Sequence, residues 1–245
     1  MTDPAPQASG EHAAPELHDR KNIVPLLFLG VIVYGLWAVW ALWLRDRVAP
    51  SGDREAMAGV GARLVFWVLP CAVYLVSIWG PRFSAPLGLW FPLGALQVRR
   101  SVVLFIVTSL ALFLATAARN GSSMVEEIAR FARLAQPRLS APIFEELVFR
   151  GVFLSELLTW THRNSRSAWG LRARYWVAQL GCAVFFVLLH WPAWWHHLGL
   201  SQTMERSLPI FAVAMVLGFI FAQTRSIWPC IGLHWLNNEL SFIAQ

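Results

Sequence analysis

Apolar runs close to the length needed to cross a bilayer dominate this sequence, and they fix its solvent before any other property matters. A spanning helix needs about 20 predominantly apolar residues, because each rises about 1.5 Å through a hydrocarbon core about 30 Å thick. Seven stretches approach that length: Asn22 to Leu44, Leu64 to Gly80, Val102 to Ala118, Leu139 to Trp160, Tyr175 to His190, Leu208 to Gln223, and Ile227 to Ile243. Several are short, so six to eight spans fit the sequence. With no water in hydrocarbon to satisfy backbone groups, each run has to be a helix. The expected fold is an all-α, polytopic transmembrane bundle of about seven spans.

Composition agrees with that solvent. Hydrophobic residues make up 57% of the chain and charged residues 14%, which excludes an ordinary soluble domain. Trp37, Trp40, Trp43, Trp79, Trp90, Trp191, Trp194 and Trp195 stand near the ends of apolar runs. They suit the aromatic belts at headgroup depth, with some left for core packing. The net charge of +6 comes from 19 Arg and one Lys, scattered singly or in pairs without aromatic interleaving. That pattern argues against a nucleic-acid partner and for anionic lipid headgroups. Cys71, Cys182 and Cys230 lie in apolar sequence without a CxxC and read as small buried hydrophobes.

Residues 1–21 read as a disordered polar tail, and residues 22–245 as a single transmembrane domain. The 23 uncharged residues from Asn22 to Leu44 are too many for a cleaved signal and would stay as an anchor. Phe83 to Leu96 is broken by Pro86, Gly88, Pro92 and Gly94 and suits an interfacial or re-entrant segment. Glu126 to Gln136 sets Arg130 and Arg133 on one side and Ile128, Phe131 and Leu134 on another, an amphipathic helix at the headgroups. Basic residues divide almost evenly between the two sides of a seven-span arrangement. Only the Arg-rich loop from Thr161 to Arg174 favours a cytoplasmic side for itself and the N-terminus.

Against this apolar background the fourth span holds Glu145, Glu146 and Arg150. Insertion scales charge about 2.5 to 3.5 kcal/mol for such a residue at a helix centre, so three together need compensation. Glu146 and Arg150 are four apart with the acid first, the better order for a helical ion pair. Glu145 projects about 100° away and has to find partners on other helices. The fifth span ends with Phe186 and His190 on one face, and the last carries His234 and Asn238, again four apart. Three helices thus bring polar groups to membrane depth, and turning them toward one wet cavity buries them at least cost. Such a cavity holds a carboxylate to serve as general base for water (Glu145) and an imidazole to hold that water or shuttle its proton (His190). It also holds donors for a developing oxyanion, His234 and Asn238. No covalent intermediate and no cofactor is required.

The order Glu145-Glu146...Arg150, Phe186...His190, His234...Asn238 resembles the EExxxR, FxxxH and HxxxN/D motifs of the CAAX-protease and bacteriocin-processing membrane proteins, which include the CAAX prenyl endopeptidases. The resemblance covers about Leu139 to Ile243 and would place the catalytic helices in 139–245. It implies a glutamic-type intramembrane protease in which Glu145 and His190 activate water and His234 and Asn238 form the oxyanion hole. Glu146 and Arg150 would orient Glu145, with Phe186 in support. It also implies a membrane-anchored peptide or protein as substrate. Arg in place of Lys and high Ala suggest a GC-rich bacterial source, hence an inner (cytoplasmic) membrane and a substrate other than a prenylated tail.

Three other readings use the same residues. Two His and a carboxylate form a recognisable metal set, although no HExxH helix is present and Trp194 to His197 reads as an interfacial loop. A scaffold or bacteriocin-immunity protein would keep the polar network for structure alone. A transporter would show paired broken helices and internal symmetry, and neither is visible.

Overall fold

The computed structural model describes residues 22–48, 53–80, 95–134, 138–164 and 168–243, which are almost wholly helical and contain no strand. The N-terminal tail and nearly all of the broken segment from Phe83 to Leu96 lie outside them. Helix α1 is Val24–Val48. Helix α2 begins as Asp53–Arg63, passes through a π-helical stretch, Leu64–Val68, and ends as Leu69–Trp79. Ala95–Asn120 is α3 and Met124–Leu134 is α4. Helix α5 is Ser140–Glu146 continued by the π-helical Leu147–Leu154 and by Ser155–Asn164. Beyond it, Ala168–Thr224 is helical on both sides of Gly199, giving α6 (168–198) and α7 (200–224), and Trp228–Ile243 is α8.

Four of the described helical runs are long and apolar enough to cross a membrane: Val24–Val48, Ala58–Trp79, Val98–Asn120 and Arg172–Thr224. The last is a hairpin. Gln179 donates to the Met215 carbonyl at 2.6 Å and Trp191 to Ser207 at 3.0 Å. In a straight helix, residues 36 positions apart would be separated by about 54 Å. The reversal falls at Gly199, whose φ of 75° and ψ of 175° suit glycine alone. Gly199→Ala should therefore cost about 1–3 kcal/mol, read as a lower thermal midpoint in detergent. An unchanged midpoint would mean that the turn is not strained.

The hairpin corrects the expected loop from Trp194 to His197, which is the last turn of α6. Pro192 sits inside this helix without ending it. Likewise, the loop expected from Thr161 to Arg174 shrinks: α5 runs to Asn164, α6 resumes at Ala168, and the Arg174 guanidinium donates to the Asn164 carbonyl. The fourth and last expected spans are present as α5 and α8. They fall outside the long apolar set because α5 carries charges and α8 has 16 residues.

Burial is arranged for a lipid solvent. Val31, Phe28, Leu114, Val177 and Leu208 face outward, while Trp67, Phe149, Phe186, Leu189, Phe221 and Leu233 are buried between helices. Exposed large hydrophobics on this scale are a liability in water and ordinary in hydrocarbon. All three cysteines are buried and free. In α5, Glu156 is buried too, accepting from Trp79 Nε1 at 2.5 Å and Tyr74 OH at 3.4 Å, so it ties α5 to α2. The sequence reading passed over it.

Helix α4 has the amphipathic character expected of it. Val125, Ile128 and Leu134 are exposed, while Phe131 packs edge-on against Phe113 of α3 and Trp235 of α8. A capping box starts it: the Ser123 backbone N–H donates to Glu126 at 2.7 Å, and the Glu126 N–H donates back to Ser123 Oγ at 3.2 Å. Donation from the Ser123 N–H and hydroxyl holds the Glu126 carboxyl below its usual range, as hydroxyl and amide donors from Ser122 and Asn120 do for Glu127. A depressed carboxyl binds fewer protons folded than unfolded, so its stabilisation is present above the ordinary value near 4.5 and lost as pH falls through the lowered one. The hydrogen-exchange protection factors of α4, corrected for the intrinsic rate at each pH, should fall below about pH 4 before those of α6 or α7. Equal protection at pH 3 and pH 7 would contradict this.

Candidate active site

Glu145 and Glu146 are the last residues of the first α-helical part of α5, where the backbone widens into a π-helix. Such stretches recur at functional sites because they re-aim side chains at the expense of regular hydrogen bonding. Glu146 is fully buried, and its Oε1 accepts from Arg150 Nη1 at 2.9 Å, the helical pair expected from the spacing. Arg150 also donates to the Ala214 carbonyl of α7 at 3.0 Å and lies 5.0 Å above the Phe186 ring. The same Glu146 Oε1 accepts from His234 Nδ1 at 2.7 Å. One carboxylate thereby joins α5 to α8, while its arginine joins α5 to α7.

Glu145 is turned away from that pair and meets three other helices. Its Oε2 lies 3.5 Å from His234 Nε2 and 3.9 Å from His190 Nε2, and its Oε1 lies 3.7 Å from Arg63 Nη2. His190 Nδ1 sits 2.8 Å from the Phe186 carbonyl. A carbonyl only accepts, so Nδ1 carries the proton and neutral His190 turns the lone pair of Nε2 toward Glu145. The imidazole is held between the rings of Phe186 and Trp194, each 4.9 Å away. For His234 the logic differs. Its Nδ1 proton is committed to the Glu146 carboxylate, so Nε2 donates a hydrogen bond only when the ring is an imidazolium.

Glu145 and His190 border a cavity of about 490 Å³ between α1, α2, α5 and α6, walled by Trp37, Trp40, Trp67 and Trp194 and carrying Arg45 and Arg63. The first two tryptophans and Trp194 thus serve the cavity wall and not an outer belt. Trp43 and Trp195, both exposed, remain suited to headgroup depth.

Six of the seven residues singled out in the sequence are therefore in one constellation: Glu145, Glu146, Arg150, Phe186, His190 and His234. The seventh, Asn238, is half-buried one turn beyond His234, and its carboxamide makes no hydrogen bond among the described residues. His234 lies between the two carboxylates, with Nδ1 hydrogen-bonded to Glu146 and Nε2 3.5 Å from Glu145. Among the described residues, no group of three His, Cys, Asp or Glu side chains is spaced to hold a metal ion. What the sequence reading missed is Arg63. At the head of the second apolar run it looks like any arginine at a membrane boundary; its one sequence signal is Trp67, four residues on.

With that geometry in hand, comparison with known proteins is informative. A family model described as Type II CAAX prenyl endopeptidase Rce1-like matches residues 129–240. Those residues are an Rce1-like domain. The Rce1-like domain runs from within α4 into α8 and contains all seven motif residues, and it implies a membrane-embedded, CAAX-type protease. Helices α1 and α2, which supply Arg63 and the tryptophans Trp37, Trp40 and Trp67, lie outside the Rce1-like match. No curated protein and no solved structure matches the chain.

Proposed function

We propose that the protein is an intramembrane endopeptidase that hydrolyses a peptide bond of a membrane-associated peptide or protein with water activated by Glu145. The observation that carries this reading is the facing pair Glu145 Oε2 and His190 Nε2, 3.9 Å apart at the edge of the cavity. A water about 2.8 Å from each would donate one hydrogen to the carboxylate and the other to the imidazole lone pair. Its own lone pair would then point at a substrate carbonyl. As the new C–O bond forms, Glu145 takes the proton; when the C–N bond breaks, Glu145 returns it to the departing amine. The products are a carboxylic acid and an amine, with no residue covalently attached.

Glu146 and Arg150 act behind this pair. By accepting from His234 Nδ1, the Glu146 carboxylate fixes the ring and balances a second proton on it, so that Nε2–H can donate to the oxyanion. Asn238, with its carboxamide unengaged, is the second donor from α8. Helices apolar enough to cross a membrane fit a substrate anchored in the same bilayer.

Co-expression with membrane proteins that carry a hydrophobic tail or leader, encoded beside this chain, tests the reading by intact mass. Cleavage by wild type, its loss in Glu145→Gln and its persistence in chelator are expected. Equal processing by both proteins would overturn the proteolytic role and favour a scaffold. Loss of cleavage on chelation would move the base to a metal-bound water.

A further inference from the structure

The Glu145 cavity has a second wall that the three motifs do not describe. Arg63 projects into it with its guanidinium carbon 5.6 Å from the Trp37 ring and 5.7 Å from the Trp67 ring, which themselves sit 4.6 Å apart. Its Nη1 reaches the Gly59 carbonyl at 3.3 Å and its Nη2 stands 3.7 Å from Glu145, too long for a full hydrogen bond. Among the described residues its Nε is buried with no partner. On the same wall Trp67 is 2% exposed, and its Nε1 is also buried with no partner among the described residues. Two such donors four residues apart, on residues that line the cavity of a carboxylate base, are unusual because an unpaired buried N–H is costly. The π-helical turn that presents them, Leu64–Val68, begins immediately after Arg63.

We propose that Arg63 and Trp67 form an anion hole that binds the oxyanion developing on the scissile carbonyl, opposite the donors of α8. This rests on the hydrolytic reading of Glu145. A carbonyl attacked by water beside Glu145 lies within reach of a guanidinium 3.7 Å from the same carboxylate. Contacts with two adjacent rings help to hold that guanidinium before charge develops, which limits its reorganisation as the oxyanion forms. His234 meets a conflicting demand, because its Nε2 also faces Glu145 at 3.5 Å. Arg63 carries a permanent charge and needs no proton to become a donor.

The test has two arms on the full chain in detergent micelles. The first uses hexadecylphosphonate, a membrane-anchored tetrahedral anion, with hexadecanol as the uncharged control, and reads affinity from the shift in thermal midpoint. Phosphonate should stabilise wild type and Glu145→Gln; it should lose its effect in Arg63→Gln and bind several-fold more weakly in Trp67→Phe. The second arm measures cleavage. Arg63→Ala should lower kcat by about 10²- to 10³-fold with little change in KM, and added guanidinium ion should restore part of the loss. If the alanine variant does not fold, Arg63→Lys carries the same arm, with a smaller fall in kcat at unchanged KM.

Phosphonate binding indifferent to Arg63→Gln, or a kcat that survives Arg63→Ala, would sink the anion hole. If phosphonate binding depends on Arg63 in a chain that cleaves nothing, the anion site stands and it is the protease reading that fails.

Discussion

Glu145→Gln should reduce peptide cleavage by about 10²- to 10⁴-fold, the range that a positioned general base contributes, while the protein still inserts and folds. The substitution keeps the shape of the side chain and its place at the end of the first α-helical part of α5. What it removes is the acceptor that takes a proton from water. Glu145 is 4% exposed and faces three cationic or protonatable partners, Arg63, His190 and His234, none of which it holds at short hydrogen-bond distance. The neutral amide therefore forfeits charge interactions at about 3.5 to 3.9 Å and no tight bond, and the loss in stability should be small beside the loss in rate. Cleavage rate and thermal midpoint, measured on one preparation, separate the two. A protein that falls apart, or one that cleaves at the wild-type rate, would each refute the role assigned here.

The parts of the site that were legible in the sequence are those where hydrocarbon makes polar residues conspicuous. Glu145, Glu146 and Arg150 within seven residues of an apolar run could not be explained by propensity, and the four-residue spacings of Phe186 with His190 and Glu146 with Arg150 gave their faces directly. Their convergence followed from the cost of burying them apart.

Arg63 was hidden for the converse reason. An arginine at the margin of an apolar run is normal, and only the π-helical turn that follows it, with Trp37 arriving from another helix, shows that it is turned inward. The tryptophans misled in the same way, since a belt and a cavity wall both place them near the ends of spans. The hairpin at Gly199 was obscured because Pro192 and the Trp-His run after it look like a loop, although the helix continues through the proline. Glu156 went unnoticed because its partners, Tyr74 and Trp79, come from a helix more than 70 residues away.

Arg150→Met should destabilise the protein by about 3–5 kcal/mol, the cost of leaving a buried carboxylate without its counter-ion. Arg150 is 1% exposed and bonded to Glu146 and to the Ala214 carbonyl, so its removal strands a charge and an acceptor in the core at once. His234 cannot take over the whole burden, because it shares Glu146 Oε1 with Arg150 while Oε2 already has no partner among the described residues. The double variant Glu146→Gln with Arg150→Met should recover much of the lost stability, since no lone charge remains. Cleavage should not return with it. His234 would then face a neutral amide at Nδ1, and nothing would balance a second proton on the ring when Nε2 has to donate. Unfolding midpoints and cleavage rates of the two single variants and the double one complete the cycle. If the double variant regains both stability and activity, Glu146 and Arg150 are a structural clamp with no part in setting His234; if it regains stability alone, the clamp and the catalytic role belong to the same pair.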